Sequence, residues 1–75
     1  MPHTFTAYIE FDSETGLYVG TIPGLVGGHS QGASLDELQE NLKEVVELIL
    51  EERRQRGESV DVEPFVGIQQ ITVAE

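Results

Sequence analysis

A chain of 75 residues makes one small domain, and a domain of that size buries only about 60% of the surface its unfolded chain exposes. Fourteen acidic residues against four Lys and Arg give a formal charge of -10 at pH 7. That field repels nucleic-acid phosphates and the anionic inner face of a membrane, and it complements a basic partner. The chain has no cysteine for a disulfide, and no cofactor motif or cluster of metal ligands is visible, so self-association into a dimer or larger oligomer is the remaining way to support so small a core.

Met1-Pro2-His3-Thr4 has neither the basic region nor the apolar run of a signal peptide, and no apolar stretch approaches the roughly 20 residues of a membrane span. A cytoplasmic protein is expected. Residues 4–11 then alternate, with Phe5, Ala7, Ile9 and Phe11 on one side and Thr6, Tyr8 and Glu10 on the other. This is the period of a half-buried strand. Asp12-Ser13-Glu14-Thr15-Gly16 is a polar, glycine-terminated hairpin turn. The return strand is expected over 17–22, with Leu17 and Val19 opposite Tyr18 and Ile22. Pro23-Gly24 interrupts it, and a short third strand is expected through His29-Ser30-Gln31.

Ser34-Leu35-Asp36-Glu37 is a capping box, and it predicts a helix from about 35 to 56. Asp36 and Glu37 stand at its positive end and Arg53, Arg54 and Arg56 at its negative end, as the helix dipole favours. Gly57 suits the position just past the end. Leu35, Leu38, Leu42, Val45, Val46 and Ile49 make the apolar stripe. Asp36, Glu40, Glu44, Glu47 and Glu51 fall on the opposite side, with Leu48 and Leu50 on the two flanks. A loop is expected over 58–64 and a last strand over 65–73. The expected fold is α+β, a small antiparallel sheet in the order β-β-β-α-β with one long helix on one face, in a single domain over 1–75.

Gly16-Leu17-Tyr18-Val19-Gly20-Thr21-Ile22-Pro23-Gly24-Leu25, followed by Gly32-Ala33-Ser34-Leu35-Asp36-Glu37-Leu38-Gln39-Glu40-Asn41, resembles the HicB-like antitoxin N-terminal domain. The likeness covers about residues 4 to 60. It implies half of an RNase H-like fold and a module that binds a small basic RNA-cleaving toxin, HicA, and blocks its surface. It also implies that Asn41 hydrogen-bonds backbone in the preceding loop. The remaining motif positions are scaffold: Tyr18 supplies cross-strand area, Pro23 and Gly24 set a turn, Gly32 permits a restricted backbone, and Ser34 and Glu37 cap the helix. Most members of that family carry a C-terminal DNA-binding module. Only Ala74 and Glu75 follow Val73 here, so no repressor role is expected, and Ala33 stands where an acidic residue is common.

No catalytic, cofactor or metal residue is assigned, and the chain is expected not to be an enzyme. His29 and Ser30 are adjacent on an extended segment and so point to opposite faces. The glycine run 24–32 lacks the lysine of a phosphate-binding loop, and no Lys or Arg precedes Lys43. Glu10, Asp12 and Glu14 would hold Mg²⁺ in a metal-dependent nuclease remnant, the third reading after an antitoxin-type binder and a free-standing homo-oligomeric binding module. A two-metal nuclease site needs several carboxylates converging in a shaped cavity, and the pattern of these three shows no convergence. The acidic helix face, Asp36, Glu40, Glu44, Glu47 and Glu51, is the candidate partner surface. Glu40/Glu44 and Glu47/Glu51 are mutually repelling i,i+4 pairs.

Overall fold

The computed structural model describes residues 3–59 and 64–74. Three strands, β1 (Tyr8–Asp12), β2 (Leu17–Thr21) and β3 (His29–Gly32), are followed by one helix, α1 (Leu35–Gln55). The sheet is antiparallel in the order β1-β2-β3, which establishes the small α+β fold. β1 starts later than the alternation suggested: residues 3–7 precede it without strand pairing.

The β1–β2 hairpin closes where the polar run ends. Gly16 adopts φ +73° and donates its N–H to the Asp12 carbonyl at 2.8 Å, while the Asp12 carboxylate accepts from the Glu14 N–H at 3.0 Å. Two turns in succession then carry the chain from β2 to β3. Leu25 N–H bonds the Ile22 carbonyl across Pro23-Gly24, and Gly28 N–H bonds the Leu25 carbonyl across Val26-Gly27. Gly24 and Gly27, with φ +82° and +83°, occupy the position where a type II turn needs a left-handed backbone. The double turn presses Leu25 into the core and leaves Val26 exposed.

The register fixes which side chains face the helix. Ile9 pairs with Gly20 and Phe11 with Tyr18, and a Cβ built on Gly20 would meet Leu42 and Leu38. Ile9, Phe11, Tyr18 and Gly20 therefore lie on the helix side, and Tyr8, Glu10, Val19 and Thr21 on the other. The core is Ile22, Leu25, Leu38, Leu42 and Val46, with Phe5, Ala7, Tyr18, Ile49 and Leu50 packed around it. Leu35, in the first helical turn, is exposed and contributes little to the stripe it opens.

Both ends of α1 are closed as the residues dictate. Ser34 Oγ accepts the Glu37 N–H at 3.1 Å. The Glu37 carboxylate reaches back to the Ala33 N–H at 3.2 Å, one residue before the cap itself. At the other end Gly57 (φ +71°) donates to the Arg54 carbonyl and Glu58 to the Arg53 carbonyl, the paired bonds of a Schellman motif.

The fourth strand expected over 65–73 is not formed. Residues 64–74 carry no strand and are all exposed, and no backbone hydrogen bond joins them to the rest of the described chain. A ring contact sets Phe65 edge-on to Tyr8 of β1, centroids 6.2 Å apart. Alternation gives this segment the pattern of a strand, but a strand also needs a neighbouring edge, and the segment takes none within the described chain. The loop expected over 58–64 falls mostly on residues 60–63, outside the described residues.

Candidate functional site

α1 lies against β3 and β2 and does not reach β1, so one long face of the helix is left to solvent. At 100° per residue, Asp36, Glu40, Glu44, Glu47 and Glu51 fall within one sector of that face, and all five are exposed. The structure thus brings the five predicted partner residues together on one surface. Glu51 is the exception in its pairing: it holds Arg54 as an ion pair and also lies near Gln55. Glu52 and Glu58 both pair with Arg56, at 3.3 and 3.5 Å. Three of the four basic residues of the chain are thus gathered at the helix's C-terminal end. The first four turns are left with Lys43 as their only cation, and the negative field there is correspondingly uncompensated.

Tyr18, Pro23, Gly24, Ser34, Glu37 and Asn41 lie where the sequence suggested, but Gly32 does not adopt the restricted, left-handed backbone expected of it: the glycine is required by lack of space instead. The Tyr18 ring stands 5.0 Å from that of Phe11 and packs on the core. Asn41 donates its side-chain N–H to the Gln31 carbonyl at 2.7 Å, which lies on β3 itself rather than in a loop. This bond ties the second turn of the helix to the edge strand beneath it and orients the acidic face relative to the sheet. Gly32 is the closest approach of all: a Cβ there would stand 2.6 Å from the Leu38 backbone nitrogen.

The residues weighed for chemistry are kept apart. His29 pairs with Thr21 and Ser30 with Gly20, so the histidine lies on the outer face and the serine on the helix face. Asp12 uses its carboxylate inside the hairpin turn. Among the described residues no polar or charged side chain is buried and no group of three or more His, Asp and Glu converges as metal ligands would. No helix among them is long and apolar enough to cross a membrane.

Two surface features escaped the sequence. An open groove of about 630 Å³ runs between residues 3–7 and α1, floored by Phe5, Ala7, Ile22, Leu42, Val46 and Leu50, with Lys43 and Glu47 on its rim. Beside it the helix side of β1 is uncovered, leaving Ile9 50% and Phe11 57% exposed. An excess of apolar helix positions hinted at such a surface, but its location depends on where α1 crosses the sheet.

These features, a three-stranded sheet with one capped helix and an open acidic face, coincide with extensive similarity to small proteins of one family. A UPF0150 protein of Thermotoga maritima is 46% identical over 69 residues, covering 92% of this chain and 88% of the relative. UPF0150 proteins of Synechocystis and Archaeoglobus fulgidus are each 44% identical over 69 residues, covering 92% of this chain and 93% of theirs. The chain belongs to the UPF0150 family. No family model matches it, and no solved structure does.

Proposed function

We propose that this chain is a protein-binding module of antitoxin type. It would act in the cytoplasm by covering the basic RNA-binding surface of a small RNA-cleaving toxin similar to HicA. The observation that carries this reading is the exposed sector Asp36, Glu40, Glu44, Glu47 and Glu51 on a capped helix that Asn41 ties to β3. A negative face speeds encounter with a positive one and disfavours wrong partners. Blocking a toxin requires no chemistry from this chain, only that its carboxylates occupy the positions that RNA phosphates would take. The motif likeness over Gly16–Leu25 and Gly32–Asn41 supports the same reading.

Glu40, Glu44 and Glu47 make no ion pair among the described residues, so their charges are free to meet a partner's. Changing all three to Gln keeps their size and removes only charge. The triple variant is expected to keep the helix and to lose retention of a basic partner in low-salt affinity capture from the native host. Because exposed charges act within roughly 10 Å at 0.1 M salt, the unmodified chain should release the same partner as salt is raised. Equal retention by both chains would exclude the acidic face as the docking surface.

A second reading, a homo-oligomeric binding module, is favoured by the uncovered Ile9 and Phe11. Contiguous exposed apolar surface rimmed by polar residues marks an interaction site. The two readings are compatible, since Ile9 and Phe11 lie on β1, which α1 does not reach, and only Glu47 of the acidic sector borders the adjoining groove.

A further inference from the structure

The segment that fails to become a strand has the composition of one. Residues 64–74, Pro-Phe-Val-Gly-Ile-Gln-Gln-Ile-Thr-Val-Ala, contain no charged residue in a chain of net charge -10. Val66 is 94% exposed, Ile71 79% and Val73 74%, and the backbone has no partner in the described chain. A β-branched, uncharged segment whose N–H and C=O groups find no partner among the described residues is a template for strand pairing.

The same chain offers an acceptor. β1 is an edge strand with no neighbour on its outer side among the described residues, and its helix-side residues Ile9 and Phe11 are left bare because α1 covers β2 and β3 instead. The other edge, β3, is less suitable: it is four residues long and α1 crowds onto it at Gly32. Extended chain rises about 3.3 Å per residue, so residues 64–74 can run the length of residues 3–12. Phe65 already meets Tyr8 of β1, so the segment begins beside the edge strand.

We infer that residues 65–74 of one chain add as a fourth strand to the β1 edge of a second copy, with the exchange returned by the partner. The occupant is a second copy because donor segment and acceptor edge lie on one chain and neither is paired among its described residues. A two-fold exchange satisfies both at once, as strand addition and segment swapping do. The uncharged segment brings no like charge to the contact. The inference rests on the self-associating reading above and gives it a mechanism; it does not depend on a toxin partner.

The test is the solution mass of the full chain by light scattering from micromolar to submillimolar concentration, with helix content followed by circular dichroism. The unmodified chain should have twice the 8.3 kDa chain mass. Ile71→Lys/Val73→Lys in the donor and Ile9→Lys/Phe11→Lys in the acceptor should each give a single-chain mass with the helix signal kept. Mixing the two variants should restore dimers, since one intact segment and one intact edge remain, and misfolded chains would not do this. A monomeric unmodified chain would overturn both the inference and the self-associating reading. A donor variant that stays dimeric, or a mixture that stays monomeric, would overturn the exchange while leaving self-association standing.

Discussion

Leu38→Ala is expected to lower the melting temperature by roughly 12–24 °C, taking about 3 kcal/mol for the truncation and about 4–8 °C per kcal/mol for a domain of this size. Leu38 is 1% exposed, the most buried large side chain described. Its methyls lie over Gly20 and its backbone under Gly32, so it fills the space between β2, β3 and the first turn of α1. The surrounding backbone is already at closest approach and cannot collapse into the cavity, which places the cost well inside the range for leucine truncations. Typical stability amounts to about 4–11 kcal/mol for a chain of 75 residues, so one methyl-rich side chain holds a large share of it. Thermal unfolding followed at the helix band measures the shift; a loss under a few degrees would mean that the helix does not seat on the sheet through this residue.

Gly32→Ala is expected to be nearly as damaging, at about 3 kcal/mol, the upper end for overpacking a close contact. The new Cβ would stand 2.6 Å from the Leu38 nitrogen, 2.9 Å from its Cα and 3.0 Å from the Glu37 carbonyl carbon. All three are backbone atoms of the helix's first turn, so no side chain can rotate away and α1 must lift from β3. The lift would also stretch the Asn41–Gln31 bond. Denaturant unfolding should show the midpoint falling with the slope unchanged. By contrast Gly16→Ala meets no atom within 4 Å and should cost only the strain of a left-handed alanine, about 1 kcal/mol. If the two substitutions behaved alike, the close approach at Gly32 would not be the cause.

Much of this arrangement was legible in the residues because the signals are local. The capping box and Gly57 set α1 within a residue of its observed ends. Alternation over Phe5–Phe11 set the side-chain facing of β1, although hydrogen bonding begins only at Tyr8, where Thr21 becomes available as a partner. The resemblance implied a backbone bond from Asn41, and the structure places it on Gln31. The acidic sector followed from helical periodicity alone. What could not be read is set by long-range placement. Phe65–Val73 has the pattern of a strand, but whether a strand forms depends on pairing with an edge elsewhere, and among the described residues no such pairing is made. The exposure of Ile9 and Phe11 likewise depends on α1 crossing β2 and β3 only, which no local pattern encodes.

The proposed role, neutralising an RNA-cleaving protein by covering it, can be measured directly. The direct measurement uses the basic protein captured from the native host, incubated with RNA and increasing amounts of the pure chain at low salt. Cleavage should stop near one chain per toxin, and it should return on substitution of Glu40, Glu44 and Glu47 by Gln. Undiminished cleavage in the presence of excess chain would contradict the neutralising role, whatever the affinity between the two proteins.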